Sequence, residues 1–276
     1  MRRTPPRDTR PEGQPQGNPH QGRPPRRGGG HAPRNADGGT WLYGLHPVIA
    51  ALANPARRLR RLLLTEEAEA AITAQVPQPW RIAAERVERA RFAGMFPEDA
   101  VHQGAALLVE PLPELDLDTV LDQTEGPVLV LDQVTDPRNV GAILRSAAAF
   151  GAAALVMQDR HAPPETGSLA RAASGALELV PVVRVVNLAR ALDELKEAHC
   201  WVVGLAADAP VTLAQVQRGL SGRRCALVLG AEGEGMRRLT REHCDELARL
   251  PIASRMESLN VSAAAAVALY ELVRES

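Results

Sequence analysis

The sequence predicts an α/β protein built on a parallel sheet and preceded by a smaller α/β unit. From Pro127 onward, short continuous apolar runs alternate with helical stretches, the pattern of parallel strands covered on both faces. Between Thr40 and Pro111, a shorter set of strand-like and helix-like segments stands apart from that series. Residues 1–39 differ from both, with 8 Pro, 8 Gly, 8 Arg and almost no apolar side chains.

The 1–39 stretch cannot bury enough surface to offset its ordering entropy, so a disordered tail is expected. Its eight Arg against Asp8, Glu12 and Asp37 give it a charge of +5, which leaves −6 on the rest of a chain whose net charge is −1. Two readings of this tail stand side by side: a solubilising extension, or a basic arm that loosely holds a polyanion.

In the 40–111 unit, Val48–Leu52 reads as helix and Leu59–Thr65 as strand. Arg81–Arg91 reads as a charged helix, and Ala105–Val109 as a strand closed by Glu110-Pro111. Residues 112–126, acidic and proline-bearing, read as a linker with one helical turn. The 127–276 unit gives strands at Val128–Leu131, Ala154–Met157, Leu179–Val185, Trp201–Leu205, Ala226–Leu229 and Leu250–Ile252. Helices are expected at Val140–Phe150, Leu169–Leu177, Leu188–Ala198, Arg237–Ala248 and Val261–Val273. No internal repeat is present.

Composition removes several functions. With 32 basic and 33 acidic residues, the chain is not a strongly basic nucleic-acid protein by gross charge. The basic residues are 31 Arg and one Lys, Lys196, in Leu195-Lys196-Glu197. A Walker A loop needs Gly-Lys-Ser/Thr, so that chemistry is excluded. Pyridoxal phosphate would have only this lysine, in a polar helical stretch. Cys200, Cys225 and Cys244 show no CxxC or Cys/His spacing, so neither a disulfide framework nor a metal site is expected. No apolar run approaches the ~18 residues of a membrane span, and the Arg-rich N-terminus lacks the apolar core of a secretory signal. A soluble, reducing, cytoplasmic setting with no membrane partner is the expectation.

In open α/β sheets, ligands sit beyond the carboxyl ends of strands. Three such places stand out. After Val128–Leu131 comes Asp132-Gln133-Val134-Thr135-Asp136-Pro137-Arg138-Asn139, with Asn139 placed as helix cap and Arg145 almost two turns inside. The helix is otherwise mostly apolar, so Arg145 should need a partner; a phosphate or carboxylate suits it. After Ala226–Leu229 comes Gly230-Ala231-Glu232-Gly233-Glu234-Gly235. Its glycines permit close backbone approach. Its two acids disfavour a phosphate cradle, and a ligand with hydroxyls or a positive centre fits better. The third place is Leu250-Pro251-Ile252 followed by Ser258, Leu259 and Asn260, where Ser258 and Asn260 are good caps for a helix starting at Val261. The apolar residues of that last helix should be buried against the domain or a second subunit.

Taken in order, these stretches resemble motifs 1, 2 and 3 of the SpoU (TrmH) family of RNA 2′-O-ribose methyltransferases. Asn139–Ala147 resembles motif 1, Leu227–Gly233 motif 2, and Leu250–Ile252 through Ser262 motif 3. Within the family the chain resembles the bacterial 23S rRNA guanosine-2′-O-methyltransferases. Tyr43–Val48 and Val101–Gly104 match their L30e-like first domain. Ile252 stands where Met is common, and the long tail is not a family constant.

The resemblance implies a SPOUT-type sheet with a C-terminal trefoil knot, S-adenosylmethionine bound at the knot, and a homodimer. It implies a catalytic set of Asn139, Arg145, Glu232, Ser258 and Asn260. Cofactor contacts are implied from Leu229, Gly230, Ala231, Leu250, Ile252, Leu259 and Asn260. RNA contact is expected from Arg145 and from Arg57, Arg58, Arg60 and Arg61 in the first domain, a cluster that a solvated face would explain equally well. A guanidinium is effectively never deprotonated, so Arg145 is read as a phosphate and charge anchor, with Glu232 or water taking the proton. Two alternatives are a tRNA enzyme of the same family and a non-catalytic RNA-binding assembly factor.

Overall fold

The computed structural model describes Met1 and residues 39–98, 100–253, 256 and 258–274. The expected disordered tail therefore lies outside the described residues, apart from Met1 and Gly39.

The first sheet contains β1 (Thr40–Tyr43), β2 (Leu59–Leu64), β3 (Ala84–Arg86) and β4 (Ala105–Val109), in the order β1-β4-β2-β3. β4 is antiparallel to β1 and β2, while β3 runs parallel to β2. Alternation divides the side chains between faces. Leu62, Leu64 and Leu107 pack with α1 (Leu45–Ala53) and α2 (Glu66–Thr73), whereas Leu63 and Ala106 meet Phe92 on the other face.

The charged helix expected over Arg81–Arg91 is not formed. That segment holds β3 and a short 3-10 turn, Arg89–Phe92. Pairing with β2 supplies its backbone partners, and its charges pair across elements: Arg61 Nη2 with Glu85 Oε2 at 2.8 Å and Arg86 Nη2 with Glu69 Oε2 at 2.9 Å. Tertiary pairing thus overrides a local helical preference. The unexpected α2 is capped by Thr65, whose hydroxyl accepts from Ala68 N at 3.3 Å, and begins with acids that suit a helix N-terminus.

In the 112–126 stretch, α3 (Leu117–Gln123) is capped by Asp116 and exceeds the single turn expected. There follow β5 (Val128–Asp132), α4 (Pro137–Ala149), β6 (Ala154–Gln158), α5 (Gly167–Ala173) and β7 (Val182–Val185). Next come α6 (Leu188–Glu197), β8 (Trp201–Leu205), β9 (Val211–Thr212), α7 (Leu213–Gly219) and β10 (Cys225–Gly230). α8 (Arg238–Glu242), β11 (Glu246–Arg249) and α9 (Val261–Val273) complete the described chain. Among the described residues, the second sheet has the order β7-β6-β5-β10-β8-β11-β9, with every pairing parallel. The α/β reading with a parallel sheet therefore holds.

The helix expected over Arg237–Ala248 is a single short α8, and the strand lies at β11 rather than at Leu250–Ile252. β11 is polar except for Leu247 and Ala248, so its sequence does not resemble a buried strand. Pairing with β8 and β9 holds it, and Asp245 Oδ2 accepts the Val202 amide at 2.9 Å at its entry.

The two sheets are joined at a buried arginine. Arg57, expected on the RNA-contacting surface, is 1% exposed. Its Nη1 meets Glu165 Oε1 and its Nη2 meets Glu178 Oε1, both at 2.6 Å, and Nη1 donates to Glu110 O at 2.9 Å. The structure withdraws Arg57 from the phosphate-contacting set, because its donors are consumed between the units. Burial opposes its charge, but the Glu178 and Glu165 carboxylates outweigh burial and hold its pKa above the usual arginine value. Nearby, a Cβ on Gly167 would lie 2.4 Å from Tyr43 Cε1 and 2.6 Å from Trp41 O, so only glycine permits this approach of α5 to β1.

Replacing Arg57 with Ala leaves two buried carboxylates without their cation. The expected loss is about 3–5 kcal/mol of stability, measured by urea unfolding. His102 stacks on Phe92 at 4.5 Å between ring centroids, and its Nδ1 accepts the Gly104 amide at 3.1 Å. Burial, aided by the charge of Arg89, holds its pKa below the usual 6.5. The folded state therefore binds fewer protons than the unfolded chain between the two values. Stability from neutral His102 is present above 6.5 and is lost as pH falls through the folded value. An NMR titration of the His102 ring should give a midpoint below 6.5.

Candidate active site

β5 lies at a topological switch point: β6 and β7 extend the sheet on one side, and β10, β8, β11 and β9 on the other. Three chain segments meet beyond its carboxyl end.

The first enters α4. Asp136, rather than the expected Asn139, caps this helix by accepting the Arg138 amide at 2.8 Å, with Pro137 at the first helical position. Asn139 sits one residue further in than Arg138, which leaves its amide free for other partners. The second segment leaves β10 at Gly230 and turns back on itself: Ala231 N donates to Gly235 O at 3.1 Å, and Gly235 N to Ala231 O at 2.9 Å. A Cβ on Gly230 would lie 2.1 Å from Gly235 C and 2.2 Å from Met236 N, so the returning chain crosses it at backbone distance. The third segment enters α9, capped by Asn260, whose Oδ1 accepts from Ser262 N at 2.9 Å and Ala263 N at 3.4 Å.

Asn139, Glu232 and Asn260 form a closed triangle. Glu232 Oε1 accepts from Asn139 Nδ2 at 3.2 Å, from Asn260 Nδ2, and from Val261 N at 3.3 Å. Asn260 Nδ2 also donates to Asn139 Oδ1 at 3.1 Å. Val261 N belongs to the first turn of α9, where amides lack helical partners and the dipole favours an anion. Among the described residues, Glu232 Oε2 takes no hydrogen bond.

Ser258 is exposed and stands outside the triangle. Arg145 is exposed on α4 and, among the described residues, makes no hydrogen bond or ion pair. The partner expected for it from the apolar helix is not needed, since Val140, Ile143, Leu144 and Ala147 take the buried stripe. Leu229 is buried in the core, so it offers a ligand only its backbone. Gly230, Ala231 and Leu250 are half-buried, and Ile252 and Leu259 expose apolar surface, Leu259 directly before the helix cap Asn260. Leu250-Pro251-Ile252 lies outside regular structure, so its peptide groups are not committed to a ladder. In the first sheet, Arg58 and Arg60 share Glu110, and Arg61 pairs with Glu85.

The sequence reading passed over Asp132, which is fully buried at the end of β5 and bonded to Arg237. The available signal was a single acid closing an otherwise apolar strand.

Comparison with known proteins settles the family. The model of the SpoU rRNA Methylase family matches residues 126–270, and that of RNA 2′-O ribose methyltransferase substrate binding matches residues 41–115. The chain belongs to the SpoU rRNA methylase family. Among its relatives is the 23S rRNA (guanosine-2′-O-)-methyltransferase RlmB of Pasteurella multocida, 45% identical over 85% of this chain and 97% of that protein. The RlmB of Vibrio cholerae is 43% identical over 85% and 96%. Among solved structures, the SpoU methyltransferase AviRb from Streptomyces viridochromogenes in complex with the cofactor AdoMet is similar. It has a TM-score of 0.71 and 25% identity, covering 87% of this chain and 91% of that one. The two SpoU family matches fall on the two sheets described above, and the triangle lies wholly in the SpoU methylase match.

Gly230→Ala should force the crossing chain away from β10. The expected cost is about 1–3 kcal/mol, read by chemical unfolding, with loss of the Glu232 contacts visible in a crystal structure of the variant.

Proposed function

We propose that the chain methylates the 2′-oxygen of a ribose in RNA, the target being a guanosine of 23S rRNA. The observation that carries this reading is the Asn139–Glu232–Asn260 triangle at the switch point, assembled from three distant segments of a SpoU family member. The names of its RlmB relatives support the substrate.

The residues present fit S-adenosylmethionine. Leu250, Ile252 and Leu259 offer apolar surface to a purine, and the free peptide groups of 250–252 offer donors and acceptors to its edge. S-adenosylmethionine, when bound, supplies a methyl group on a sulfonium, already a good leaving group. The chain's own residues then have three tasks: to place the hydroxyl, to accept its proton and to steady the oxygen's charge. Arg145, a cation without a partner among the described residues, holds the phosphate next to the target ribose. As the 2′-oxygen takes that methyl group, Glu232 Oε2 would accept the hydroxyl proton. Asn139 and Asn260 fix the carboxylate through Oε1, leaving Oε2 in place. Ser258 contributes from the loop before α9.

Arg58, Arg60 and Arg61 provide phosphate contacts on the first sheet, and the 2′-hydroxyl target requires RNA rather than DNA. α9 presents Val267, Tyr270 and Val273 at helical spacing as exposed apolar surface, which supports a homodimer. β8 lies between β10 and β11 in the sheet, yet Asn260, which follows β11 in the chain, bonds Glu232 of the β10 loop, which supports the trefoil knot of the family. A cytoplasmic setting belongs to this reading.

The deciding experiment incubates the protein with labelled S-adenosylmethionine and either unmodified 23S rRNA or unmodified tRNA, then maps 2′-O-methylation. One guanosine in 23S rRNA is expected; methylation of tRNA alone would overturn the substrate, and no cofactor binding by calorimetry would overturn the enzyme. Arg145→Lys should cut turnover by about 100-fold, and full turnover would remove the specific role of the guanidinium.

A further inference from the structure

A second line of hydrogen bonds runs along the carboxyl edge of the large sheet. Asp132 closes β5 opposite Gly230 of β10 in the parallel register. Its carboxylate is fully buried, a position that an anion occupies at low cost only when paired and hydrogen-bonded. Among the described residues, Arg237 supplies every partner. Its backbone N donates to Asp132 Oδ2 at 2.9 Å, its Nε to Oδ1 at 2.8 Å, and its Nη2 lies 2.7 Å from Oδ1. Nη2 also reaches Gln158 Oε1 at 3.2 Å at the end of β6, and Gln158 Nε2 donates to Val186 O at 3.0 Å just beyond β7. One arginine thereby ties the end of β5 to the ends of β6 and β7.

Arg237 is also the residue at which the Glu232 loop rejoins the body. The loop starts in β10 at Gly230, is pinched by the mutual bonds of Ala231 and Gly235, and re-enters through the buried Met236. Glu232 is exposed on the far side of that pinch. Its placement therefore depends on the two feet of the loop, one fixed by strand pairing and the other by Arg237 on Asp132.

We infer that Arg237 is a positioning residue for methyl transfer: through Asp132 it clamps the returning foot of the loop so that Glu232 meets Asn139 and Asn260. The inference rests on the reading that Glu232 serves the reaction. Nothing in the three family motifs assigns this task to Arg237, which lies outside all of them.

The test compares Arg237→Met with the unaltered protein, each also carrying Glu232→Gln. Arg237→Met should lower kcat about 10- to 100-fold, the scale of a small misplacement, with the RNA KM within about twofold. In the Glu232→Gln background it should cause no further loss, because its effect passes through Glu232; a purely structural role would add its loss in both backgrounds. Hydrogen exchange of residues 231–236 should be faster in Arg237→Met. An unchanged kcat, fully multiplying losses, or unchanged exchange in that loop would each overturn the inference. Should Arg237→Met not fold, Arg237→Lys keeps the charge and the backbone donor, and should show a smaller loss with the same dependence on Glu232. If the unaltered protein methylates no RNA, the function proposed above fails, and loop exchange in the variant still decides for or against the clamp.

Discussion

The site depends on the insertion of β10 beside β5. Once these two strands pair in parallel, the loops leaving them emerge on the same edge, Gly230 opposite Asp132. The start of α4 and the turn after β10 are then neighbours without any long side chain having to reach. The remaining requirement is a third element that closes the gap, and α9 meets it with its N-terminus. A helix N-terminus brings unpaired amides and a favourable dipole, which is why a carboxylate can rest there against two neutral side-chain amides. Among the described residues, Glu232 is held without an arginine or lysine.

Two buried carboxylate systems serve different ends. At Asp132 one acid meets one guanidinium, and the pair is complete within the sheet edge. At the junction of the two sheets, two acids surround Arg57, and the excess negative charge is met by neutral donors such as Asn54 Nδ2, which reaches Glu178 Oε2 at 2.7 Å. Burial pushes the Glu165 carboxyl upward even with Arg57 beside it. Such clusters add little net stability over a well-packed apolar contact, but removing one member is costly. Their effect is geometric: a first domain docked through Arg57 cannot be re-seated on α5 by small slides, as an apolar contact could be.

Much of this was legible in the sequence where burial is two-sided. The runs Val128–Leu131 and Ala226–Leu229 are continuous and apolar, and they are the central strands. Glu232 drew notice because it follows a strand, whereas the polar set as a whole came from the resemblance of the three stretches to the family's motifs; Asn260 lies eleven residues beyond β11. The misreadings have separate causes. β3 and β11 are short, polar and stabilised by neighbours distant in the chain, so their local patterns point to helix. Arg57 was misplaced because a run of arginines looks the same whether its members face water or two carboxylates from α5's flanks. Asp136 took the cap from Asn139 because Pro137 suits the first helical position, a signal present in the sequence but outweighed by the preference for Asn.

The one-sided use of arginine acquires a physical sense in the structure. Arg81 reaches the carbonyls of Ala51 and Leu52, closing the C-terminal end of α1. Arg224 does the same for α3 through Leu121 O at 3.2 Å, and Arg249 binds Ala209 O at 2.9 Å. Each task asks for several donors in one plane, directed at carbonyls or carboxylates that cannot move, and a guanidinium provides this where an ammonium does not. Arg57, itself buried, and Arg237, half-exposed but bonded to the buried Asp132, extend the same use to carboxylates. The near-neutral net charge reflects 33 acids against 32 bases and not how the arginines are bonded, so it is no argument against an RNA substrate. The informative quantity is the number of guanidinium groups left without an internal partner, and among the described residues Arg145 is such a group.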